Sequence, residues 1–290
     1  MKKYIWLIFL AVVLVAVAAY VVFSKSEKKE AAPQVKSPVI VQEEKKKESE
    51  KNYENLIRVT KPQAGAEISS PLEISGEARG SWFFEASFPV RLVDENGKEL
   101  ASGIAEAEGE WMTENFVPFK ATLVFDRKTA KSGNLILLKA NASDLEELDD
   151  SFAVPVVFSQ GETTVVKVFF SHEESRTEMD CSVTAPRERV IAKTQAVARA
   201  AIELLLVGPT LEEKSAGYFT SINPSVKLNS ISIQAGKARV DFNGQLEQAV
   251  GGSCRVSAIR SQIEDTLRQF PTVKEVVISV NGRTEDILQP

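Results

Sequence analysis

KLNSISIQAGKARVDFNGQL, residues 227–246, alternates polar and apolar side chains twice around a break at Ala235-Gly236-Lys237. That period of two predicts a β-hairpin, because successive side chains of a strand point to opposite faces. Ser230, Ser232, Gln234, Lys237, Arg239 and Asp241 fall on one face, so one side of this hairpin is polar. On either side the period changes to that of a helix. Upstream, Val197, Ala201, Leu204 and Leu205 form one apolar stripe, ended by Gly208 and Pro209. Downstream, Val256, Ile259, Ile263 and Leu267 form a second stripe, with Ser253 in an N-cap position and Pro271 as the stop. The runs TTVVKVFFS (163–171) and VKEVVISVNG (273–282) read as outer strands. The order is βαββαβ. Two amphipathic helices on one sheet predict a two-layer α+β domain over residues 161–290.

Residues 52–160 have a different texture. Short β-type runs (LIRV, LEISGEA, FPVRLVD, ATLVF, NLILLKA, FAVPVVF) are separated by turn residues, and Glu95-Asn96-Gly97-Lys98 supplies the positive φ angles of a tight hairpin. This predicts an all-β, immunoglobulin-like sandwich, with Val90 and Leu92 facing one way. The run Gly80–Phe88, GSWFFEASF, is dense in aromatics. Two or three of them fit inside the sandwich; alternatively Trp82, Phe83 and Phe84, with Trp111, offer a stacking surface for a cell-wall glycan or peptide.

The stretch LIRVTKPQAGAEISSPLEISGEARGSWFFEASFPVRLVDENGKELASG (56–103), with its Pro-x-x-Gly turn and the later VPVVF (154–158), resembles the Gmad immunoglobulin-like domain of bacterial spore-germination-type proteins. VKVFFS (166–171), ELLLVGPT (203–210), the hairpin 227–246 and TLRQFPTVKEVVISVNG (266–282) resemble the GerMN domain of sporulation and germination proteins. The likeness implies an extracytoplasmic β-sandwich followed by a module that binds or assembles. It implies no reaction, cofactor or catalytic residue.

Two cysteines, Cys181 and Cys254, and one histidine, His172, cannot furnish a four-ligand zinc site. Cys254 stands behind Gly251 and Gly252 at the start of a helix, where the macrodipole favours a thiolate. A cysteine hydrolase would need His172 as its base, but no third group is specified to orient it. Two cysteines in one exported domain instead favour a Cys181–Cys254 disulfide. The glycine pair also fits an anion-binding helix entry, yet no Gly-Lys-Ser/Thr follows it. Arg187 and Arg189, with Arg255 and Arg260 near Cys254, are candidates for an anionic-ligand site, against the plainer reading of solvated charge.

The N-terminus carries an apolar run, Tyr4 to Phe23, behind the short stub 1–3. At 1.5 Å per residue it spans roughly 30 Å, which predicts a transmembrane anchor. Cleavage after Ala18, at a small-residue site, is the alternative. Residues 24–51 mix both charge signs and read as a disordered tether. With 35 Lys and Arg against 40 Asp and Glu, the chain has no basic stripe, which argues against nucleic acid as a partner. The expectation is a membrane-anchored, extracytoplasmic, non-enzymatic binding or scaffold protein of the bacterial envelope. Its partner would be an envelope protein or cell-wall component, with weak self-association at most.

Overall fold

The computed structural model describes residues 53–143, 145–175 and 180–289. The expected anchor 4–23, its cleavage site and the tether therefore lie outside the described residues. Within those residues no helix is long and apolar enough to cross a membrane.

Eight strands form the first half: β1 (Ile57–Lys61), β2 (Ala66–Ile68), β3 (Leu72–Arg79), β4 (Ser87–Asp94), β5 (Glu99–Ala107), β6 (Phe116–Leu123), β7 (Ser132–Leu138) and β8 (Ser151–Phe158). They are hydrogen-bonded in the order β1-β3-β6-β5-β4-β7-β8-β2. β5 pairs with β4 along most of its length but meets β6 only at Glu106 and Ala107, so the sheet folds over into two facing layers. The alternation of apolar residues explains the packing. Ile74, Val90, Leu92, Phe119, Leu135, Leu137, Val156 and Phe158 all point into one shared core. Gly97, at φ 79°, makes the β4–β5 turn that its neighbours predicted. Gly133 is required by crowding, since a Cβ there would sit 2.0 Å from the Val93 carbonyl oxygen.

The second half is richer than βαββαβ. It runs β9 (Thr163–His172), β10 (Ala185–Ala192), α1 (Val197–Val207), α2 (Leu211–Ser215), β11 (Tyr218–Phe219), β12 (Leu228–Gln234), β13 (Lys237–Phe242), α3 (Ser253–Arg268) and β14 (Glu275–Val280). There are two three-stranded sheets, β10-β9-β11 and β12-β13-β14, where one was expected. The helices α1 and α3 pack on each other and on strands of both sheets, so a single core holds Val168 and Phe170 of β9 together with Val240 and Phe242 of β13. The expected hairpin is present: Ala235 (φ 47°) and Gly236 (φ 80°) join β12 to β13, and Ser230, Ser232 and Gln234 oppose Asp241, Arg239 and Lys237. β14 adds to β13 in parallel, which requires the crossover that α3 provides.

β10 was unexpected because its alternation is broken by charge. Arg189 occupies an inward, buried position where an apolar residue would normally mark the strand. Ser253 is also reassigned: it is the first helical residue of α3, and Gly252, at φ 82°, occupies the cap without a side-chain bond. Val124, just beyond β6, packs against the core of the second half and ties the two domains.

Candidate functional site

The residues singled out by sequence fall into a covalent tie, a set of arginines and a group of aromatics. Cys181 follows β9 and Cys254 lies in the first turn of α3; they are joined as a disulfide with Cα atoms 5.2 Å apart. Thr184 adds a second tie to the same helix by donating to Asp265 Oδ2 at 2.6 Å, about three turns further along α3. The Cys254 thiol is thus consumed. His172 does not serve it: its Nε2 donates to the Ala216 carbonyl (2.9 Å), its Nδ1 accepts from the Glu174 amide (3.2 Å), and its ring meets Tyr218 edge-on. Gly252 makes the tight entry to α3 through its positive φ.

The arginines do not converge on an open anion site. Arg189 is buried and donates two parallel bonds to Glu213, Nη1 to Oε1 at 2.7 Å and Nη2 to Oε2 at 2.6 Å. Arg187 adds a third, Nε to Oε1 at 3.0 Å, while lying over the Tyr218 ring. Its guanidinium is held above its ordinary pKa, chiefly by that bond to Glu213. Arg255 binds Asn223 Oδ1 (2.5 Å) and the carbonyls of Ala249 and Ser221, closing the loop that precedes α3. Arg260 donates to the Ile287 carbonyl at 3.0 Å. Of the arginines expected to hold an anionic ligand, Arg189 is buried with both Nη groups on Glu213, Arg187 gives its Nε to the same carboxylate, and Arg255 is bonded to the loops around it.

Glu213 is the residue that sequence reading missed. It sits in a capping box: Thr210 Oγ1 accepts from the Glu213 amide and Glu213 Oε2 accepts from the Thr210 amide. Burial pushes its carboxyl upward, but bonds from Arg189, the Thr210 amide and Arg187 outweigh burial and hold it below the ordinary carboxylate range. The Thr-x-x-Glu spacing was the available signal.

The stacking surface is corrected as well. Trp82 and Phe83 are buried, Trp82 edge-on to Tyr53 and Phe88, Phe83 edge-on to Phe88. Trp111 is half-buried against the same core, and of the four only Phe84 projects into solvent. A separate cleft of about 330 Å³ lies between the domains, lined by Ile104, Lys120, Val207 and Lys214 among others; of the residues named from the sequence it includes the helix stop Gly208-Pro209 with its flanks, and none of the candidate site residues.

Comparison with known proteins gives each half a relative. Residues 56–146 match the family described as the immunoglobulin-like domain of bacterial spore germination, and residues 167–286 match the Germane family, described as sporulation and spore germination. Among solved structures, the tandem GerMN domains of the sporulation protein GerM from Bacillus subtilis are 17% identical, with a TM-score of 0.34. That alignment covers 42% of this chain and 41% of that one. The first GerMN domain of the same protein is also 17% identical, at TM-score 0.34, covering 42% of this chain and 85% of that one. The chain thus spans about two fifths of the tandem structure. No curated protein matches it. The chain joins an immunoglobulin-like domain of the bacterial spore germination family to a Germane domain of the sporulation and spore germination family.

Proposed function

We propose that this chain is a non-enzymatic binding or scaffold protein of the bacterial envelope, held at the membrane by residues 4–23 and acting outside the cytoplasm in a sporulation or germination setting. The Cys181–Cys254 disulfide carries the reading. It removes the only thiols of the chain, and such a bond belongs to an oxidising compartment. The family descriptions support the setting, and the internal neutralisation of Arg187 and Arg189 supports a structural role for those charges.

Self-association in dilute solution is weak in this reading, because the exposed face of β12 and β13 is polar. Confinement on a membrane raises the effective concentration enough for weak contacts to matter. The test is protease added outside intact spheroplasts carrying the full-length chain. Digestion of both domains is expected, whereas protection of both places them in the cytoplasm and overturns the proposal. Thiol labelling of the unfolded, unreduced protein provides a second check, with neither cysteine labelled.

A further inference from the structure

Of nine large apolar side chains exposed among the described residues, four lie on three loops at one end of the sandwich. Phe84 (49% exposed) is on the β3–β4 connection, Met112 (74%) on β5–β6, and Leu145 (49%) and Leu148 (47%) on β7–β8. Hydrogen bonds tie the connections together: Ala140 N–H to Trp82 O (3.0 Å), Gly80 N–H to Asn115 O (3.3 Å), and Ala107 N–H to Ala86 O (2.8 Å). The chain also enters at this end, since Ile57 pairs with Ala78 at the close of β3 and the Tyr53 hydroxyl donates to Asp150.

These apolar tips have buried company available to them and do not use it. Trp82 and Phe83 turn inward, while Phe84 is turned out by a two-residue reversal at Glu85 (φ 49°) and Ala86 (φ 59°). The polar residues around the tips are predominantly acidic. The three connections, residues 80–86, 108–115 and 139–150, contain nine Asp and Glu against one Lys, Lys139, while Arg79 at the end of β3 donates to the Glu114 carbonyl. Apolar contact residues rimmed by an excess of one charge mark a surface for a partner of the opposite charge. An anionic bilayer is repelled by the same charge.

We infer that this loop end is a protein-docking surface, on which Phe84, Met112, Leu145 and Leu148 contact the apolar residues of a partner protein whose surrounding side chains are Lys and Arg. The inference rests on the binding role proposed above and names the surface that performs it. Where electrostatics steers such a contact, charge reversal at the rim slows association and reduces capture.

The test places a photocrosslinking amino acid, p-benzoyl-phenylalanine, at Met112 or Leu148 of the full-length chain in its own envelope, with Ser232 on the exposed face of β12 as the control site. The expected result is a protein adduct at Met112 and Leu148, absent at Ser232, with the crosslink mapping to a Lys- and Arg-rich segment of the partner. In the variant Glu85→Lys/Glu146→Lys/Glu147→Lys, which alters exposed side chains only, the adduct yield falls roughly tenfold while the unfolding midpoint stays unchanged. Adducts only with lipid, or only with the chain's own Lys45–Lys47 segment, overturn the inference, as does an adduct indifferent to charge reversal. Adducts at Ser232 alone overturn this surface but leave the binding role standing; no adduct at any site defeats both.

Discussion

The sandwich and the Germane domain solve the same problem with different materials. All five residues counted as buried and polar among those described, Ser171, Arg189, Glu213, Gln262 and Thr266, lie in the Germane domain, whereas the buried side chains of the sandwich are apolar apart from the indole N–H of Trp82. Burial of apolar area is non-directional, so a core of interlocking rings and branched chains tolerates approximate geometry. A buried polar group must meet a particular partner. In the Germane domain those partners join elements distant in sequence: Gln262 of α3 donates to Ser171 of β9 and accepts from Thr220, and Thr266 accepts from the Phe169 amide. The lesson is that the second domain specifies which sheet meets which helix by directional bonds, where the first relies on shape.

Four measurements sharpen or break this contrast. The largest effect is expected for Trp82→Ala, which removes the ring at the centre of the sandwich's aromatic contacts and destabilises that domain by about 5 kcal/mol. Urea unfolding followed by Trp111 fluorescence measures it. Amide hydrogen exchange read over the segments of the Germane domain should move little. Next is Glu213→Gln, which strands the buried Arg189 and lowers Germane stability by about 4 kcal/mol. The double variant Arg189→Met/Glu213→Leu should recover a large part of that loss, since the only charge it leaves without its partner is that of the half-exposed Arg187. If the double variant is as unstable as the single, the ion pair is not what orders β10.

Third, replacing Cys181 and Cys254 by Ser opens a loop of 73 residues and lowers Germane stability by up to about 4 kcal/mol, again leaving the Trp111 transition in place. Last and smallest is an acid effect. Glu213 has a folded pKa below its unfolded value near 4.5, so its contribution is present above that pH and is lost as pH falls through the folded value. Germane stability should therefore decline below about pH 4.5, and the decline should flatten in Glu213→Gln. A sandwich that loses stability in the same acid range by the same amount would erase the distinction between the two domains.

The same contrast explains what could be read from the chain. The alternation in FPVRLVD and FAVPVVF is regular, and the strands β4 and β8 lie where it predicts; the stripe over α1 ends at Gly208 as its positive φ requires. β10 escaped because APRERVIA carries its counter-ion, Glu213, more than twenty residues away on α2, and no local pattern announces that an arginine will be buried. Splitting of the second domain into two sheets was equally hidden, since hydrophobic period reveals a strand but not its neighbours. The candidate site fared unevenly. Cys181 and Cys254 were identifiable by compartment and count, but the arginines were assigned outward because solvent is the usual destination of charge. The loop-end residues Met112, Leu145 and Leu148 went unnoticed, as isolated apolar residues in polar loops acquire meaning only when three connections are brought to one place.

β2 pairs with β8 in parallel, Ala66 to Val156 through Ile68 to Phe158, and the segment that follows β8 leads directly into the Germane domain. Consider a tensile load applied between the chain's entry at Tyr53 and that domain. The load enters through β1, paired to β3, and once β1 yields it draws the start of β2 one way and the end of β8 the other, along the strand axes. The rungs between them are then strained together in shear, whereas an antiparallel hairpin pulled at its open end would unzip one rung at a time. A sandwich wired in this way transmits force between its two attachment points through its stiffest direction.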